Sequence, residues 1–269
     1  MDKKQRHINK LVKRLMSKGI RYYHKFNEKG YEKAIEMFSK AIELDPNNAN
    51  AYKSRGCCYF DTEPDKAIED LTKAIELKPN YAKAYEIRAC CYSYHKNKPK
   101  KAISDYFTIL KYQPNHVETY LFLGHIFSDN GEYDSSIQAF SKAIELSPES
   151  YIYYMYRGQM YIKIQDYNNA ITDFFTAINS DEWNTKSVGY GFLAKIYSKL
   201  KDYNKSVEFY TKAIEILKKY SYYEQLIKCY KHRSEAYLLL GEKEKADMDL
   251  KLLAESKLKQ KEREEIIPF

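Results

Sequence analysis

A small residue returns along this chain at Ala34, Ala67, Ala102, Ser136, Ala170, Ser206 and Ala246, at intervals of 33, 35, 34, 34, 36 and 40 residues. Seven positions after each stand Ala41, Ala74, Ile109, Ala143, Ala177, Ala213 and Leu253. Between them fall Phe38, Leu71, Tyr106, Phe140, Phe174, Tyr210 and Leu250. Upstream, tyrosine recurs at Tyr52, Tyr85, Tyr120, Tyr154, Tyr190 and Tyr230. Each is followed four residues later by Gly, Ala or Ser, at Gly56, Ala89, Gly124, Gly158, Ala194 and Ser234. A period of this length points to repeated supersecondary units, each too small to bury its own apolar face.

The stretch Val117–Ser150 displays one unit. Tyr120, Leu123, Gly124 and Phe127 have the i, i+3, i+4, i+7 spacing of one helix face. Asp129-Asn130-Gly131 is turn chemistry, because Asn and Gly tolerate the left-handed backbone that ends a helix. Tyr133, Ser136, Ile137, Phe140, Ala143 and Ile144 line a second face, and Pro148 stops it. Pro46, Pro79 and Pro114 stop the equivalent helices. Two amphipathic helices per unit, stacked on like neighbours, give a solenoid stabilised by nearest-neighbour contacts.

The small residues fit helices that cross closely enough for a neighbour's ring to reach backbone. Most of the 28 tyrosines are accordingly read as packing rings. The pattern resembles the tetratricopeptide repeat family, whose motif sets a large residue, Leu-Gly, Tyr, Ala, Phe, Ala and Pro over one unit. The resemblance implies an all-α fold, an α-solenoid of about seven antiparallel helix pairs forming a right-handed superhelix. It divides the chain into a basic lead-in at 1–14, a solenoid at 15–255 and a charged capping helix and tail at 256–269. The repeats fall at approximately 15–48, 49–81, 82–116, 117–150, 151–186, 187–226 and 227–255. Repeat 1 is irregular, two extra residues precede repeat 6, and six more around Lys218–Gln225 lengthen the junction to repeat 7.

Chemistry-bearing motifs are missing from the sequence. No Gly-rich segment precedes a Lys-Ser/Thr pair, and the six histidines have no paired spacing. The expectation is a protein that is not an enzyme, with no cofactor, no metal and no catalytic residue. Cys57, Cys58, Cys90 and Cys91 mimic a metal quartet, but each pair holds the same place in consecutive repeats. Neighbours on a helix diverge by about 100°, so core packing is the expected role. The odd count of five, with Cys229, agrees with free thiols. No run of 18 apolar residues and no signal-peptide core is present, so a cytoplasmic protein without a membrane span is expected.

Function then rests on binding, and the favoured reading is a non-catalytic scaffold or adaptor for a protein or peptide partner. In the family, first helices line a concave groove, with positions 2, 5, 9, 12 and 13 of each repeat facing the ligand. Carried onto this chain, those positions in repeats 2–4 hold two bases and four acids, and in repeats 5–7 five bases and one acid. The candidate groove residues are Leu121, His125, Ile152, Met155, Gln159, Ile162, Lys163, Lys195, Lys199, Lys228 and Lys231. Ile152, Met155, Ile162 and Val188 form an apolar patch among them, so a peptide with apolar anchors and acidic flanks is expected at repeats 5–7. Some family members clamp chaperone C-termini with Lys, Asn and Arg at set positions. Neither Lys53, Cys57, Ile87, Glu118 and Phe122 nor Met155, Gln159, Phe192, Lys228 and His232 supplies that set.

The alternative lies at the N-terminus. Residues 1–25 hold nine Lys/Arg and one acid, which accounts for the whole formal excess of +8. Such a segment suits nucleic acid or an anionic surface. Nucleic acid is the less expected partner, because no aromatic residue interleaves the basic ones before Tyr22.

Overall fold

The computed structural model describes residues 3–266. Asp2 and the last three residues of the expected tail lie outside the described residues. The chain separates into two compact units, Met1–Ile126 and Phe127–Phe269, and every described element is helical. The first unit holds α1 (Lys3–Tyr23), α2 (Glu28–Leu44), α3 (Ala49–Tyr59), α4 (Pro64–Leu77), α5 (Ala82–Cys90), α6 (Pro99–Tyr112) and most of α7 (Val117–Asp129). The second holds α8 (Tyr133–Leu146), α9 (Tyr151–Lys163), α10 (Tyr167–Ala177), α11 (Trp183–Lys199), α12 (Tyr203–Lys219), α13 (Tyr223–Leu239) and α14 (Lys243–Ile266). Among the described residues no helix is long and apolar enough to cross a membrane.

Local chemistry sets the helix ends. Asn27, Asn48, Asp166 and Asp202 accept backbone N–H bonds from Gly30, Ala51, Asn169 and Lys205, capping α2, α3, α10 and α12. Pro64 and Pro99 occupy first turns, where a missing N–H costs nothing. Gly131 and Gly241 turn the chain at φ of 78° and 79°, and Gln165 and Lys201 take the same left-handed place at 63° and 62°. There the N–H of Asp166 and of Asp202 reaches back to the carbonyls of Tyr161 and Tyr197 at 2.9 Å, a closed helix C-terminus.

The repeating small residues are the floor of the core. Ala34, Ala67, Ala102, Ser136, Ala170, Ser206 and Ala246 are all fully buried. A Cβ on Gly158 would stand 3.0 Å from the Phe174 ring, and one on Gly19 would meet the Phe38 ring at 2.5 Å. The rings then reach onward to the next pair. Tyr106 stacks on Phe122 at 5.5 Å, Phe140 on Tyr156 at 5.5 Å and Phe174 on Phe192 at 4.9 Å. Leu250 holds the equivalent place on α14 and is 48% exposed, because no further described helix stacks on it.

Two expectations about length resolve differently. α1 is one helix from Lys3, so the lead-in and the first helix of repeat 1 are continuous. The residues added near Lys218–Gln225 are mostly helical and extend α12 and α13 to 17 residues each. Only Tyr220–Tyr222 connects them, and Trp183 stacks on Tyr220 at 4.4 Å while Tyr222 meets it edge-on at 5.8 Å. Aromatic packing thus holds the short link.

A polar staple, not anticipated from the motif, joins neighbouring pairs. Arg157 gives two hydrogen bonds to Asp173, at 2.9 and 2.7 Å, and a third to Ser141 on α8 at 3.0 Å. Arg55 treats Asp70 and Ser39 the same way, Arg88 treats Asp105 and Thr72, and Arg233 treats Asp249 and Thr211. The guanidinium of Arg157 lies 5.8 and 5.9 Å from the rings of Tyr154 and Tyr161, and Arg233 sits likewise near Tyr230 and Tyr237. Recurrent tyrosines therefore flank a cation. Where the arginine is absent the three places turn apolar together: Phe107, Leu123 and Ala139, or Phe175, Leu193 and Phe209. Phe209 there packs on Tyr190, Tyr197 and Phe175 at 5.4 to 6.1 Å.

Burial pushes the Asp173 carboxyl up against the pull of Arg157, so the pair recovers a desolvation cost and adds little net stability. Removing one partner is another matter. Asp173→Ala is expected to destabilise the second unit by about 2–4 kcal/mol by orphaning Arg157. Adding Arg157→Leu should restore more than half of that, since the chain already uses Leu at this place. Urea unfolding followed by circular dichroism checks both; equal losses for the single and double variants would contradict the staple.

Candidate peptide groove

Three first helices of the second unit, α9, α11 and α13, carry nine of the eleven candidate residues. Between α9 and α11 lies a hollow of about 410 Å³, lined by Gln159, Ile162, Lys163, Tyr167, Phe192, Lys195, Ile196 and Lys199. Its apolar floor is fixed from below, because Phe192 stacks on Phe174 and Ile196 is buried. Lys163, Lys195 and Lys199 stand around it, each exposed and without an ion-pair partner among the described residues. Three ammonium groups over an apolar floor make a field that selects carboxylates.

A second hollow, of about 160 Å³, opens between α11 and α13 beside α12. Val188, Gly191, Phe192, Tyr210 and Leu217 supply apolar surface, and Lys195, Gln225, Lys228 and His232 supply donors. Lys195 and Phe192 border both hollows. Lys228 is partly neutralised by Glu224 at 2.6 Å, one turn earlier. His232 bonds Glu235 at 3.0 Å and stacks on the Tyr210 ring at 6.0 Å.

Five of the eleven candidates, Gln159, Ile162, Lys163, Lys195 and Lys199, thus come together, and Lys228 joins Lys195 at the second hollow. Met155 requires correction: it is 2% exposed and belongs to the core with Phe174 and Leu193. The cause is the close approach of α11, which packs Leu193 and Ala194 over it and sets Gly189 in van der Waals contact with the Met155 sulfur. Ile152 and Lys231 are exposed on α9 and α13 but line neither hollow. Leu121 and His125 are half-buried on α7, in the first unit.

The two glycines of α11 differ. A Cβ on Gly189 would strike Ile178 at 2.8 Å, whereas one on Gly191 would meet nothing within 4 Å. Gly191 therefore sits in mid-helix, at a helix-propensity cost of about 1 kcal/mol, without a packing reason inside the chain. Tyr167, Tyr210, Leu217 and Gln225 are lining residues that the family positions miss, because they come from second helices or from a position outside that set.

Comparison with known proteins agrees with this architecture. A family model described as tetratricopeptide repeat matches residues 49–81, 117–150 and 189–219, and a TPR repeat model matches 26–62. The matched segments are tetratricopeptide repeats. It is 34% identical over 86 residues to human tetratricopeptide repeat protein 12, a match covering 32% of this chain and 12% of that protein. The chain thus spans about one eighth of the length of that curated relative. The crystal structure of the C-terminal part of a TPR repeat-containing protein from Cytophaga hutchinsonii superposes with a TM-score of 0.74, at 20% identity, over 92% of this chain and 93% of that one. The crystal structure of MamA protein gives 0.57 at 25% identity, over 64% and 92%. Tetratricopeptide repeat folds are generally non-catalytic scaffolds for protein–protein interaction.

Cys58, Cys91 and Cys229 are buried in the core and Cys57 and Cys90 are half-buried, and no cluster of three or more metal-ligating side chains occurs among the described residues. Burial pushes the Cys58 and Cys91 thiols up to about 12 and Cys229 to about 11, and raises Cys57 and Cys90 as well. Higher pKa values mean less thiolate, the reactive species, at any working pH. At pH 8 the folded chain is expected to react with a disulfide reagent about 10-fold more slowly, or slower still, than in denaturant. Absorbance of the released thiol follows this; fast reaction of all five in the folded chain would contradict the assignment.

Proposed function

We propose that the tetratricopeptide repeat chain binds a peptide segment of a protein partner along α9, α11 and α13, with acidic residues beside apolar anchors. The observation that carries this reading is the ring of Lys163, Lys195 and Lys199 over the apolar floor of the larger hollow. A segment with that pattern covers Phe192 and Ile162 with apolar side chains and gives its carboxylates to the ammonium groups. Gly191 supports the same reading. A glycine that no neighbour requires, at the lip of the smaller hollow, keeps clear the space that a ligand needs.

Selection from a random dodecapeptide display library against the full chain tests the reading. Recovered peptides are expected to be enriched in Asp and Glu around Leu, Ile or Phe, and to lose at least about 10-fold in affinity for Lys195→Glu with Lys199→Glu. Peptides without acidic enrichment, or affinity unchanged by that variant, would refute it. Gly191→Ala gives a sharper separation. It is expected to raise helix stability by about 0.5–1 kcal/mol while weakening the selected peptides several-fold. Thermal unfolding and fluorescence anisotropy read the two effects; a gain in stability with unaltered affinity would remove Gly191 from the contact surface.

A further inference from the structure

Helix α1 carries Lys3, Lys4, Arg6, Lys10, Lys13, Arg14, Lys18 and Arg21 and, over its described residues, no acid. All eight are exposed, and none forms an ion pair among the described residues. Lysines on other helices are commonly matched within a turn, as in Lys40–Glu36, Lys142–Glu145 and Lys212–Glu208. At 100° per residue, Lys3, Lys10, Arg14 and Arg21 fall within about 20° of one line opposite Val12, over about 27 Å of helix. Arg6 and Lys13 flank this crest on one side, and Lys4 and Lys18 on the other. A surface of one sign at this density opposes folding by self-repulsion, and no ion pair among the described residues relieves it.

Two further features adjoin the crest. On the flank of Lys13, an open hollow of about 490 Å³ separates α1 from α3, bordered by Asn9, Asn48, Asn50, Lys53 and Asp45. Its lining joins three amides and two ammonium groups, with one carboxylate, Asp45, to the apolar Val12, Met16 and Ile20, a mixture that suits sugar hydroxyls and base edges. At the C-terminal end of α1, the Tyr23, His24 and Phe26 rings cluster with centroids 5.7 to 6.2 Å apart. Phe26 is 69% exposed and is held at φ 48°, a left-handed conformation uncommon for a bulky residue. A row of cations with an exposed aromatic ring beyond one end of the helix is a combination that binds a single strand, phosphates on the cations and a base against the ring.

The geometry points to a second binding activity: we propose that α1, with the α1–α3 hollow and Phe26, binds single-stranded nucleic acid through its phosphodiester backbone. An anionic bilayer fits less well. The apolar face of α1 (Ile8, Val12, Leu15 and Met16) is already packed with Ala41, Ile42 and Ala51, so no amphipathic face remains to enter lipid. A flat surface would meet the crest and leave the flanks and the amide-lined hollow unused.

Fluorescence anisotropy of a labelled 20-nucleotide oligouridine, with the full chain, tests this. Four phosphates on the crest imply an affinity about 50-fold lower at 200 mM than at 50 mM salt. Lys10→Glu with Arg14→Glu is expected to lose at least about 10-fold. The charge-matched control, Lys251→Glu with Lys257→Glu on α14, should lose less than about twofold, which separates a site from net charge. Phe26→Ala should weaken binding several-fold without altering the salt slope. Equal loss in the two charge-reversal variants overturns the proposal. So does no binding at 50 mM salt, or tighter binding to phosphatidylserine vesicles or to duplex than to the single strand.

Discussion

The contact of a large apolar side chain, a flat ring in five of the seven units, with a residue that has almost no side chain underlies the helix pairs. Phe174 against Gly158, and Phe38 against Gly19, leave no room for a methyl group. That closeness lets a pair of about thirty-four residues bury a ring against backbone, and lets the far face of the same ring stack on the next pair. The construction is local, so it tolerates drift. Ile109 replaces alanine on α6 and is still 1% exposed, and α12 and α13 lengthen without loss of their core. Side chains that the contact leaves unused, on the first helices, are then free to vary in charge.

Much of this was legible in the sequence because the pattern of large apolar and small residues is short-range and recurs seven times. Repetition separates signal from chance where one copy could not. Met155 shows the limit. Its position in the repeat matches Lys231, exposed on α13, but its depth depends on how closely α11, in the next repeat, packs against it. A motif position fixes the direction of a side chain and leaves open how closely the next backbone approaches. The Arg157–Asp173 staple was missed for a different reason. Its members lie outside the family motif, and their signal is joint: hydroxyl, arginine and aspartate are present together or replaced together by apolar residues. That correlation was visible along the sequence and needed the three places to be compared as a set.

Charge is divided by purpose in both candidate surfaces. Lysines on second helices are commonly neutralised by a glutamate three or four residues away, a cheap way to keep a helix soluble. The lysines around the α9–α11 hollow and along α1 have no such neighbour. In the first case the cations border apolar surface, which suits a peptide with side chains to bury. In the second they line a crest beside amides, which suits a ligand that brings phosphate and sugar. The same residue type thus has different partners according to the surface beneath it.

The staple also has a direction. Each of the four staple arginines gives its third hydrogen bond to the second helix of the preceding pair, so one pair cannot unravel without disturbing the next. Repeats joined in this way share cooperativity through a polar link as well as through rings. Where Leu193 and Phe209 stand instead, neighbours adhere only by dispersion and apolar burial, which yield more gradually to displacement. Fraying that starts at a terminus should therefore run unevenly, pausing at stapled junctions and passing more easily through the greasy one.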